Sequence, residues 1–384
     1  MNRHPDTIDH LAGLLDNPSI AAIRQQRDKV VVATQACEDL LLGNALSSTL
    51  TPVERLVLAS EQALISGVPI LADEYRIRAS QLDPASNITT SDNTAQSNPR
   101  LHAMLHFARA LALQPAQSDR AALLELPAAG LSVDDTVLLA QLIGFVAYQL
   151  RLLAGIQAMA HTSEALSVPT ARTDSTAEPF IHPANLPPPG KPVHRNGFTS
   201  ETLQWQSWLP GLDPSTATPQ QQKVLDISHP QARTMDFYLL LSRQPDVLLQ
   251  RSQAFNSIMY APGGLSRAER EIAATAVSCA NGCVYCASVH AQRFEQLAKR
   301  NDVIAQLFDD PDTAGTNARE RAIIQAALVL TRTPGKFGTP QIQAMRDANL
   351  SALEILDMLH VAALFAWANR LMLNLGQEVH PPST

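Results

Sequence analysis

Apolar residues recur at steps of three and four from Ser132 to Leu153, and again from Ser351 to Leu375. That spacing paints one face of a helix. Helix starts are legible elsewhere. Thr51 and Ser266 are hydroxyl N-caps with Glu54 and Glu269 three residues on, and Pro52 occupies the first helical position. Pro115 and Pro334 follow helical stretches as stops. No run of alternating β-branched residues reads as a strand, so the pattern predicts an all-α protein.

The pattern also repeats. Leu50 to Arg55 matches Leu265 to Arg270 at an offset of 215 residues. Residues 98–115 match 317–334, and 131–153 match 350–372, both at an offset of 219. Two segments sharing one offset, and a third displaced by four residues, predict one helical fold written twice. Between the copies, Ser167 to Gly197 carries seven prolines and no helical period, which reads as an extended linker. The expected organisation is a first domain over 1–165, a linker over 166–197 and a second domain over 198–384. Trp205 and Trp208 open the second domain and are expected to anchor that lead-in, chiefly by burial.

Composition narrows the class. The 384 residues are 45% hydrophobic, which excludes wholesale disorder, and 16 glycines are few for an all-β chain. The net charge of −7 comes without a basic run, which argues against nucleic acid as a partner. No uninterrupted apolar stretch nears membrane-spanning length and no export signal opens the chain, so a cytoplasmic protein without a membrane partner is expected.

Four cysteines are too few for a disulfide scaffold. Cys37 stands alone and reads as packing, whereas Cys279, Cys283 and Cys286 fall within eight residues. In a reducing compartment Cys283-x-x-Cys286 can cycle between dithiol and disulfide. Asn281-Gly282 can break a helix there, and a new helix start lowers a thiol pKa. His290 lies four residues after Cys286, on the same helical face, and can take a thiol proton. Glu271, on the preceding helix, can orient His290. Alternative readings are a zinc site using Cys279, Cys283, Cys286 and His290, an iron–sulfur motif, or inert structural thiols. Cys279 is expected to be a buried helical residue. His360 is expected to be a satisfied core or pocket-lining histidine, and Arg151 and Arg370 to be structural.

The pattern Glu271-x11-Cys283-x2-Cys286-x3-His290 resembles the active site of the alkyl hydroperoxidase D family, within the carboxymuconolactone decarboxylase superfamily. Residues 198–384 carry the resemblance, and 1–165 share it only through the internal repeat. The resemblance implies tandem alkyl hydroperoxidase D-like helical domains. It also implies a peroxide substrate, an external dithiol or protein reductant, no bound cofactor or metal, and assembly as a homo-oligomer of two-domain chains. It assigns Cys286 as the peroxidatic cysteine, Cys283 as its resolving partner, and His290 with Glu271 as the proton relay. Tyr285 stands where the family's best-described member has a histidine. A redox sensor using the same disulfide, or decarboxylase-type chemistry as in cysteine-free superfamily members, are the functional alternatives. At the offset of 215, Leu56, Val68, Leu71 and Tyr75 replace the four site residues in the first copy, which is therefore expected to be degenerate.

Overall fold

The computed structural model describes residues 6–84, 98–117, 119–162 and 185–381. The first half comprises α1 (Thr7–Leu11), α2 (Pro18–Gln25), α3 (Asp28–Leu42), α4 (Pro52–Ile65), α5 (Pro69–Leu82), α6 (Pro99–Leu113), α7 (Arg120–Ala128) and α8 (Val133–His161). After it come two short strands, β1 (His194–Arg195) and β2 (Phe198–Thr199), and then β3 (Gln204–Ser207). The second half comprises α9 (Pro219–Ser228), α10 (Asp236–Leu241), α11 (Pro245–Met259), α12 (Arg267–Ala280), α13 (Val284–Ala298), α14 (Asp302–Asp309), α15 (Ala318–Arg332), α16 (Thr339–Asp347), α17 (Ala352–Asn374) and β4 (Gly376–Val379).

The helices recur at the offsets read from the sequence. α4 starts and ends 215 residues before α12, and α6 starts and ends 219 before α15. Both α4 and α12 open on the expected capping boxes, Thr51 with Glu54 and Ser266 with Glu269. The two halves pack equivalent helix on equivalent helix, α8 along α17 and α3 along α11. The contact is reciprocal. Arg151 donates to the Thr331 carbonyl at 2.7 Å, and Arg370, 219 positions on, donates to the Ala112 carbonyl at 3.0 Å. Each carbonyl lies in the last turn of its helix, where backbone acceptors lack intrahelical partners. Arg151 and Arg370 therefore close helix ends across a pseudo-two-fold axis, the geometry of a symmetric dimer inside one chain.

α8 and α17 are each long and apolar enough to cross a membrane by length and composition, but they are buried against each other and their neighbours. Polar side chains interrupt both, which is why no continuous apolar run shows in the sequence. Gln141 on α8 accepts a bond from Trp367 on α17 at 3.0 Å. The axes approach closely because Gly144 faces that indole. A Cβ there would come within 2.2 Å of Trp367 Cδ1. The indole is buried and hydrogen-bonded, so it has nowhere to go. Gly144→Ala is expected to cost about 1–3 kcal/mol by overpacking, read as a lower urea midpoint.

Most of the expected linker lies outside the described residues. Its end does not run free. Asn196 donates to the carbonyl of Asp309 at 2.8 Å, Gln296 donates to that of Pro187 at 2.7 Å, and Phe198 stacks on Phe308. These contacts tie β1 and β2 to α13 and α14. Trp205 sits in β3, pairs through that strand with β4, and donates to the Met372 carbonyl at 2.9 Å. The lead-in is thereby laced onto the end of α17.

Candidate active site

α12 ends at a turn in which Gly282 adopts φ +71°, a conformation that favours glycine. Cys283 is the N-cap of α13, with Cys286 in the first turn and His290 one turn further. The reversal lays α13 back along α12 and brings Glu271 to His290. Glu271 Oε2 lies 2.5 Å from His290 Nδ1, while Arg267 Nε donates to Glu271 Oε1 at 2.6 Å. Burial alone would raise the Glu271 carboxyl, but His290 and Arg267 outweigh it and hold it below the usual carboxylate range. A carboxylate fixed at Nδ1 sets the ring's orientation and leaves Nε2 for proton exchange. Phe365 packs edge-on against the imidazole, with centroids 4.4 Å apart.

A cavity of about 820 Å³ opens onto this pair. Cys286, His290, Glu271 and Tyr285 line it, together with Trp205, Phe237, Tyr238, Phe255, Met259 and Tyr260. Cys283 is buried behind and is not part of the wall. Burial first, and then its hydrogen bond to Cys286, push the Cys283 thiol well up. The geometry separates the two sulfurs: Cys286 meets the cavity, and Cys283 stays protonated next to it. Tyr285, at the position of the departure from the family pattern, adds a phenol to the wall that burial keeps protonated.

Other residues take different places. Cys279 belongs to the hydrophobic core and burial raises its thiol, so it does not join Cys283, Cys286 and His290. Among the described residues no three His, Cys, Asp or Glu side chains converge as a metal site would need. Cys37 is buried on α3, in the core shared by the two halves.

His360 corrects one expectation. It is a core residue on α17 outside the cavity, but neither ring nitrogen has a hydrogen-bond partner among the described residues. Burial first, then Arg24, Arg27 and Arg270, hold its pKa well below the ordinary histidine value. The folded protein keeps it neutral, whereas the unfolded chain binds a proton below about pH 6.5. A depressed folded pKa means stability is lost as pH falls through that value. His360→Leu is expected to flatten the decline of melting temperature between pH 7 and pH 5, checked by thermal melts across that range.

In the first half, Leu56, Val68, Leu71 and Tyr75 are all buried at the positions of the site residues. Two further residues close the space. Tyr75 bonds to Gln149, and Gln149 donates to Glu38 at 2.6 Å. By helix correspondence Glu38 stands where Phe255 stands, and Gln149 where Ala368 stands, both in the cavity wall of the second half. A carboxylate–amide–phenol cluster thus fills the first copy where the second copy is hollow.

The fold and the site together define an all-α protein with a Cys-x-x-Cys pair, a buried carboxylate–imidazole pair and a cavity lined by aromatic and polar side chains. Residues 245–329 match the family model of the carboxymuconolactone decarboxylase family. Glu271, Cys283, Cys286 and His290 all fall inside that matched segment. Among solved structures, it is similar to an alkylhydroperoxidase AhpD core, an uncharacterized peroxidase-related protein from Ralstonia eutropha JMP134. That match has 22% identity and a TM-score of 0.38, covering 44% of this chain and 88% of that one. It is also similar to an uncharacterized peroxidase-related protein from Silicibacter sp. TM1040, at 24% identity and a TM-score of 0.37, covering 43% of this chain and 91% of that one. No curated protein matches the chain.

Proposed function

We propose that the second half is a thiol-dependent peroxidase. The observation that carries this reading is the convergence on one cavity of Cys286 and the Glu271–His290 pair, with Cys283 directly behind. A free thiol is only a few per cent thiolate at neutral pH, so a positioned imidazole is the group the chemistry needs. His290 takes the Cys286 proton. The thiolate sulfur attacks one peroxide oxygen, the O–O bond breaks, and the departing alkoxide receives the proton as alcohol. Cys286 is then a sulfenic acid. The Cys283 sulfur displaces its hydroxyl, giving a Cys283–Cys286 disulfide and water. An external dithiol reduces that disulfide by exchange and leaves as its own disulfide. The first half, in which hydrophobic and hydrogen-bonded side chains replace every reacting group, supplies the packing partner in cis.

The test is turnover of cumene hydroperoxide with dithiothreitol, together with a thiol count. One equivalent of peroxide should consume two thiols per chain, both within the Cys283–Cys286 peptide. Stoichiometric oxidation with no turnover under any dithiol would overturn the enzyme and leave a redox switch.

A further inference from the structure

Arg251 lies on α11 and is 4% exposed. Its guanidinium sits over the Phe237 ring at 5.2 Å and the Trp367 ring at 5.6 Å. Each of the other buried arginines has oxygen partners: Arg24 pairs with Asp6 and Asp9, Arg27 and Arg270 share Asp357, and Arg55, Arg151 and Arg370 donate to backbone carbonyls. Arg251 has neither a carboxylate nor a carbonyl among the described residues, and its Nε is buried without a partner. A cation held this way destabilises the fold unless something compensates it. Stacking on two aromatic faces offsets part of that cost.

Arg251 also lines the cavity that holds Cys286 and His290. The acids of that wall are already engaged. Glu271 is bound by Arg267 and His290, and Asp236 accepts the Ser207 backbone N–H at 3.2 Å. The remaining wall sets aromatic side chains, Trp205, Phe237, Tyr238 and Phe255 among them, beside polar ones that include Arg293, and the volume suits an organic molecule of drug size. Hydrogen peroxide would need neither the aromatic side of that wall nor a buried cation upon it. The Cys286 thiolate can lean on Arg251 before reaction, but it disappears once the sulfur is oxidised.

We infer that the cavity selects organic hydroperoxides bearing a carboxylate, with Arg251 as the carboxylate's partner beside the aromatic side chains of the wall. This rests on the peroxidase reading for its chemistry, though not for its binding. The carboxylate takes no part in the redox step: the hydroperoxide oxygen goes to Cys286 and the carboxylate leaves unchanged on the alcohol product.

The experiment uses the full chain and a matched pair, cumene hydroperoxide and its para-carboxylate. The wild type is expected to favour the carboxylate in kcat/KM by about 10- to 100-fold, the value of one charge-assisted contact. Arg251→Met should erase that ratio, and Arg251→Lys should keep part of it. Equal kcat/KM for the pair in the wild type overturns the inference. So does an equal loss on both substrates in Arg251→Met, which would make the residue a partner of the thiolate alone. Calorimetry with the wild type and two unreactive probes, para-isopropylbenzoate and para-isopropylbenzamide, separates the two proposals. Tighter binding of the benzoate sustains the carboxylate site even if no peroxide is turned over, and equal binding rejects it without any variant.

Discussion

Cys286→Ser is expected to lower dithiol-dependent turnover of an alkyl hydroperoxide by roughly a thousandfold or more, to background. A serine hydroxyl is not ionised to any useful degree, and His290 alone cannot make it a competent attacker of an O–O bond. Cys283→Ser should behave differently. Cys286 still faces the cavity, so one equivalent of peroxide is reduced, after which the sulfenic acid has no neighbouring thiol. The expected signature is a single burst and a sulfenic acid trapped by dimedone on the peptide containing Cys286, found by mass spectrometry. The reverse assignment, with the burst in Cys286→Ser, would exchange the roles of the two sulfurs. Retained turnover in Cys286→Ser would point to chemistry that needs no thiol and would remove the peroxidase reading altogether.

The largest stability loss is expected at Asp357. Its carboxylate receives Arg27 Nε at 2.6 Å and Arg27 Nη2 at 2.8 Å from the first half. From the second half it receives Arg270 Nη2 at 2.9 Å and the Leu265 backbone N–H at 3.0 Å. Asp357→Ala leaves two buried guanidiniums without a counter-charge at once, held only by backbone carbonyls such as those of Gly263 and Ala261. Removing one partner of such a buried arrangement costs about 3–5 kcal/mol. Equilibrium urea unfolding should show a lower midpoint with an unchanged slope. The exposed pair Arg233–Asp226 is the contrast: Asp226→Ala is expected to leave the midpoint where it is. If Asp357→Ala lost under about 1 kcal/mol, the scale of a surface pair, the carboxylate would not be what holds these charges in place.

Much of this was legible in the chain. Glu54 and Glu269 sit three residues after their caps, and the repeat offsets alone carry the helix correspondence. The Glu271, Cys283, Cys286 and His290 spacing carried the cluster because all four lie within one helix–turn–helix, where sequence distance fixes spatial distance. Arg251 escaped notice for the opposite reason. An arginine among polar neighbours in LLQRSQAFN reads as a solvent-facing position. Its burial comes from Phe237 on α10 and Trp367 on α17, which approach only in the fold. Glu38 and Gln149 were hidden likewise, since the plug they form with Tyr75 draws on α3, α5 and α8. The tail of the proline-rich segment read as free because proline forbids helix but does not forbid docking.

The reciprocal Arg151 and Arg370 contacts bear on mass action. A homodimer built on such a face comes apart on dilution, and any site resting on it becomes dependent on protein concentration. Here the two faces share one polypeptide, so the second is present at a fixed local concentration whatever the bulk value. α17, which supplies Phe365 behind His290, thus keeps its supporting helix α8 down to the lowest expression level. One half could then surrender its reacting groups to a hydrogen-bonded filling while still holding the other half in shape.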